Sequence, residues 1–180
     1  MRGLVALGAV AVLLAGCSSD PVPPATLPPL TSSPTPSPTP APTPTGINAP
    51  DAFGASAFTK HWFGLLTAAL QTNDATALIQ SSDTGCDTCQ NFIRVIAKAK
   101  AEAKTTPDLR YKVLFAESAP PEDGKALVEV GWDVSAFKEY DSRGAVIRSE
   151  PAVTAEIGQV LLGRTGEGWV VLGFRRTGRG

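Results

Sequence analysis

From Pro34 to Pro44 every second residue is proline, with Thr, Ser or Ala between. Proline lacks an amide proton and its ring clashes with a preceding helical turn, so this stretch excludes an α-helix. It also offers almost nothing apolar to bury, which excludes a core. The whole segment from Pro21 to Thr45 therefore reads as an extended polyproline II tether. At about 3.1 Å per residue it would span on the order of 80 Å. Thr35, Thr39, Thr43 and Thr45 beside prolines also fit the composition of an O-glycosylated stalk, an alternative use of the same residues. What is left to fold begins near Gly46 and amounts to roughly 130 residues, the size of one domain with one core.

Ahead of the tether stands a different signal. Arg2 is followed by an uncharged apolar run from Leu4 to Ala15, too short for a membrane-spanning helix of ~20 residues but suited to a secretory leader. The run ends in Leu14-Ala15-Gly16-Cys17, and Ser18-Ser19-Asp20 closes the hydrophobic stretch abruptly. This tetrapeptide resembles a bacterial lipobox: small residues at 15 and 16 admit a peptidase, and a thiol at Cys17 can take a thioether-linked diacylglycerol. The expected organisation is a signal peptide over 1–16, a tether over 17–45 and one domain over 46–180. The expected location is the extracytoplasmic face of the cell membrane, with the membrane itself a partner through the lipid at Cys17. Loss of Arg2 with the leader takes the formal net charge from −1 to −2. No basic field argues for nucleic acid, and no polybasic cluster flanks Cys17 to assist the lipid.

The foldable part changes period once. Phe58, Trp62, Leu65, Leu66 and Ala69 lie on one helical face, with Asn48 or Asp51 as the cap. Asn73-Asp74 should break that helix and recap a short one over Ala75 to Gln80. A third helix is expected from about Thr88 to Lys104, with Phe92, Ile96, Ala99 and Ala103 inward and Pro107 as the stop. Beyond Pro107 the alternation is two. Leu109, Tyr111, Val113 and Phe115 form one half-buried strand, and Ala126, Val128, Val130, Trp132 and Val134 another. After the turn Asp141 to Gly144, Ala145 to Arg164 reads as one long strand bent at Pro151, with Val153, Ala155, Ile157 and Leu161 on one face. A last strand runs from Trp169 to Arg175. The fold class is α+β: about three helices packed on a curved four-stranded antiparallel sheet, a cone-like roll.

That order and size resemble the nuclear-transport-factor-two-like superfamily, whose sheet and helices often enclose a pocket. At finer grain, the lipobox, the Ser/Thr/Pro tether, Phe58 and Trp62, the Asn73-Asp74 break, Cys86-Asp87-Thr88-Cys89 and the segment Ser135 to Tyr140 resemble a family of actinobacterial lipoproteins built on domain of unknown function 6318. The resemblance implies secretion, lipid attachment and this layout. It carries no activity and no site residues.

Cys86 and Cys89 are the residues that look chemical. With Cys17 taken by lipid they are an even pair in an exported domain, two residues apart at a helix start, so a disulfide is the expected state. A structural clip, a redox couple and a metal site are the three roles open to them. Zinc would need two further ligands, and His61 is the only histidine. No pattern asks for a cofactor or metal. Asp133, Glu139, Glu150 and Glu156 lie on expected strands and are candidates for acid/base work inside a cone, although alternation turns Asp133 to solvent, away from Trp132. Arg164, Arg175, Arg176 and Arg179 read as a solvated cationic rim. Three functions fit: a tethered module binding a cell-wall or envelope partner or a small ligand, an extracytoplasmic thiol-redox or acid/base enzyme, and an envelope spacer. The first is favoured, because a long tether presents a domain to something at a distance and no Ser/His/Asp or Cys/His constellation is visible.

Overall fold

A computed structural model describes residues 46–179 of the chain. The leader, Leu14, Ala15, Gly16 and Cys17, and the tether lie outside the described residues. Helix α1 (Ala52–Thr72) starts at Asp51, whose carboxylate accepts from the Gly54 amide at 2.8 Å, and ends at Asn73 in the left-handed region. Asp51 is thus the cap. Asp74 accepts from the Thr76 amide and hydroxyl to open α2 (Thr76–Gln80). These bonds hold its exposed carboxyl below the usual carboxylate range, the Thr76 hydroxyl contributing most.

Helix α3 (Asp87–Ala101) is shorter than its sequence suggests. It stops well before Pro107 because Ala103 adopts φ 51°, letting the amides of Ala103 and Lys104 close onto the carbonyls of Lys100 and Ala99. That is a Schellman closure with alanine where glycine is usual. Ala103, expected inward, is exposed.

Four strands make an antiparallel sheet in the order β1-β2-β5-β6: β1 (Tyr111–Ser118), β2 (Lys125–Val134), β5 (Val153–Thr165) and β6 (Gly168–Arg179). The helices cover one face of it, with α1 against β1 and β2 and α3 against β6. The remaining strands, β3 (Phe137–Tyr140) and β4 (Val146–Glu150), form a separate two-stranded hairpin. Ala145 to Arg164 is therefore two strands in two sheets. Pro151, which cannot donate to a ladder, marks where the chain leaves the hairpin for the main sheet.

Two irregularities reverse expected faces. Ala155 sits at φ 55°, and its amide is taken by the Asp133 carboxylate at 3.0 Å. One extra residue at this bulge flips every following side chain. Glu156, Gly158, Val160 and Leu162 face the helices, while Leu161 is exposed. Asp133 consequently serves the bulge instead of pointing freely to solvent. In β1 a register shift between Val113 and Phe115 does the same: Ala116 enters the core, and the Phe115 ring lies over Gly131, on the opposite face. Strand β6 runs four residues beyond Arg175.

Between helices and sheet the space is filled. Phe63, absent from the expected stripe of α1, is fully buried with its ring 5.4 Å from Trp132, 5.6 Å from Phe174 and 5.5 Å from Trp62. Leu65, expected inward, is only half-buried. Phe92 and Tyr111 complete the aromatic cluster. Burial pushes the Tyr111 phenol up. The buried indoles are satisfied, Trp62 donating to the Ser82 hydroxyl at 2.9 Å and Trp169 to the Ala49 carbonyl at 2.8 Å.

Candidate functional site

With the interior packed, the concavities of the described residues are at the surface, and one of about 610 Å³ is a groove between α3 and the β3–β4 hairpin. Its helical wall is apolar, formed by Leu70 of α1 and Val95, Ile96 and Ala99 of α3. Leu109, Phe137 and Ile147 line it on the other side. Val95 is 50% exposed and Ile147 46%.

The hairpin owes its position to a few specific bonds. Asp141 accepts from the amides of Arg143 and Ala145, each at 2.9 Å, and from the Arg143 guanidinium, which closes the turn. The Ala145 and Arg143 amides hold the half-buried Asp141 carboxyl below its ordinary range. At the turn end of the hairpin Tyr140 and Thr105 exchange two backbone hydrogen bonds, of 2.9 and 3.1 Å. Ser135 ties the base, its hydroxyl donating to the Asp108 carbonyl at 2.7 Å and accepting from the Arg110 amide.

Charge on the rim is balanced. Lys104 lies 2.8 Å from Glu102 and 3.4 Å from Glu139, Lys98 lies 3.9 Å from Glu102, and Arg148 reaches Glu150 at 2.6 Å. The bond between Lys104 and Glu102 raises the ammonium and lowers the carboxyl, so both stay ionised across neutral pH. Glu139 and Glu150, candidates for acid/base work, are thus ion-pair partners beside the groove. Asn73 closes one corner, its amide donating to the Lys104 carbonyl at 2.6 Å.

The other candidates lie elsewhere. Cys86 and Cys89 are joined as a disulfide with Cα atoms 5.2 Å apart, and both are wholly buried. Cys86 caps α3, its sulfur accepting from the Cys89 amide. In this state the sulfurs are shielded from any substrate, which favours the clip over the redox couple. His61 is exposed on α1. Glu156 is buried on the core face of β5 and meets Arg179 at 2.7 Å and Arg176 at 3.1 Å. The Arg176 contact is within ion-pair range but lacks hydrogen-bond alignment, so Oε2 has no hydrogen-bond donor. Arg176 and Arg179 are therefore a clamp as well as a rim. Arg164 donates to the Asn48 carbonyl at 2.8 Å and lies over the Trp169 ring, and Arg175 bonds Gln159.

Sequence reasoning missed the groove. The available signal was Val95, one residue off the inward stripe of α3, and the adjacent apolar pair Val146-Ile147 in β4, which breaks the alternation of a half-buried strand. Among the described residues no cluster of His, Cys, Asp or Glu has the makings of a metal site. No described helix is long and apolar enough to cross a membrane.

A family model described as a family of unknown function, DUF6318, matches residues 29–175. No curated protein matches the chain. Among solved structures, the intermembrane-space region of the chloroplast protein ARC6 is similar at 15% identity and TM-score 0.54, over 71% of this chain and 97% of that one. That likeness concerns the fold. An uncharacterised protein with a cystatin-like fold from Caulobacter vibrioides is 13% identical over 68% of this chain and 87% of its own, with TM-score 0.46.

Proposed function

We propose that this chain, which belongs to the DUF6318 family of unknown function, is a lipid-anchored lipoprotein of the bacterial envelope that holds a small binding domain outside the membrane. The groove between α3 and the β3–β4 hairpin is the binding surface, and it is the single observation that carries the reading: two large apolar side chains stand half-exposed in a concavity whose charged rim is already paired. The leader pattern and the lipobox at Cys17 support the anchor, and the proline-alternating segment supports display at a distance. The nuclear-transport-factor-two-like and actinobacterial lipoprotein resemblances belong to this reading. Helices laid on one face of a bulged antiparallel sheet are consistent with the former. Because the interior is filled, this reading takes the groove, and not the inside of a cone, as the binding surface.

The anchor is tested by fractionation and intact mass. Wild-type chain expressed in a bacterial host should sediment with membranes and begin at an acylated Cys17, whereas Cys17→Ala should be lost from the membrane fraction. An unmodified cysteine in the wild type overturns the anchor.

A further inference from the structure

We infer that the groove recognises an extended polypeptide, which adds as a third strand to the outer edge of β4 and lays alternate apolar side chains against Val95 and Ile147. The inference rests on the groove being the binding surface, and it names the chemistry of the occupant.

The backbone of the hairpin supplies the first argument. Tyr140 spends its amide and carbonyl on Thr105, on the side away from β4. Alternation then leaves Phe137, Glu139 and Asp141 to face β4, and the Asp141 amide indeed donates to the Ala145 carbonyl at 2.9 Å. Opposite Phe137 and Glu139 stand Glu150 and Arg148, which therefore turn their polar groups inward. Ser149, between them, points its amide and carbonyl outward, and the two-stranded sheet offers no further strand to meet them. Such an edge is a template for an incoming strand, and β4 carries no proline or lysine to blunt it.

Side chains make the second argument. Val146 is 49% exposed and Ile147 46%, on a strand whose only half-buried residue is Glu150. The third argument is charge. Lys98, Lys104 and Arg148 each have a carboxylate partner, so an anionic amphiphile such as a fatty acid would meet no unpaired cation here. A polypeptide backbone, neutral and rich in donors and acceptors, complements both the open edge and the neutral rim.

The test uses the full-length chain in detergent micelles and a phage-displayed library of random dodecapeptides, with palmitate as competitor. Selected peptides should carry apolar residues at every second position. Their affinity should fall about tenfold or more in Ser149→Pro, which deletes the outward amide, and stay unchanged in Ser149→Ala. Should Ser149→Pro fail to fold, hydrogen exchange decides instead: bound peptide should slow the Ser149 amide in the wild type. Peptides that depend on Ile147, lost in Ile147→Glu, but bind Ser149→Pro normally or leave the Ser149 amide exchanging freely would overturn strand addition and leave the groove as the binding surface. Absence of any selected peptide, or displacement of peptides by palmitate, would overturn the inference too. The anchor is read from the mass of Cys17 alone, so its failure is separate.

Discussion

Glu156 is the one charged side chain buried among the described residues, at 3% side-chain exposure, whereas Arg176 and Arg179 are 65% and 68% exposed. That asymmetry fixes the order of two mutational costs. Glu156→Gln keeps the shape and frees two guanidinium groups already in water, so the loss should be about 1 kcal/mol. Removing both arginines strands a carboxylate in the core, and should cost roughly 3 to 5 kcal/mol. Urea unfolding of the two variants measures both, and equal costs would sink the clamp. Ala103 allows a second prediction. Holding an L-residue at φ 51° costs about 1 to 2 kcal/mol, while glycine brings an entropic penalty of roughly 0.5 to 1 kcal/mol. The first term is larger, so Ala103→Gly should stabilise the domain by a few tenths to about 1 kcal/mol in the same assay.

Element by element, the sequence was most legible where a period ran unbroken. The stripe Phe58, Trp62, Leu66 and Ala69, the Asn73-Asp74 break and the alternation from Ala126 to Trp132 are all as expected. Faces went wrong at Leu114 and Ala155, because a bulge inserts a residue without altering local composition, and a period of two has no memory across it. The turn chemistry of Asp141 was visible, but the separation of β4 from β5 depends on which sheet each strand joins, a long-range matter. For the link between α2 and α3, the Cys86–Cys89 bond closes only a short loop, so its contribution should be modest. Serine at both positions should lower stability by about 1 to 3 kcal/mol and leave the fold intact. A serine at 86 can also cap α3 as the sulfur does. Thermal unfolding followed by far-UV circular dichroism would check this, and loss of a cooperative transition would mean that α3 has no other adequate hold.

At the scale of the whole molecule, six aromatic rings fill the space between helices and sheet, and the groove of about 610 Å³ lies where α3 and the β3–β4 hairpin diverge. Individual strands and helices announce their own apolar faces, but whether opposing faces meet or gape depends on the angle between elements, which no local pattern encodes. The boundary of the domain, by contrast, has both a sequence signature and a structural cause. Ala49 is buried, with its carbonyl accepting from Trp169, and the Asn48 carbonyl accepts from Arg164, so two side chains of the β5–β6 hairpin region hold the residues just ahead of α1. Gly54 packs directly on the Ala49 carbonyl, where a Cβ would clash. A protease needs several residues of extended, accessible chain, which residues 17–45 can offer by composition and residues 48–49 cannot without releasing those bonds. Limited proteolysis with a broad-specificity enzyme should therefore trim the chain to a fragment beginning between about residue 40 and residue 47, then stall. N-terminal sequencing and mass of the fragment give the cut. Trimming beyond Phe58 would show that α1 is not secured at its start, and resistance throughout 21–40 would mean that the proline segment docks on the domain, in which case its reach as a tether would be lost.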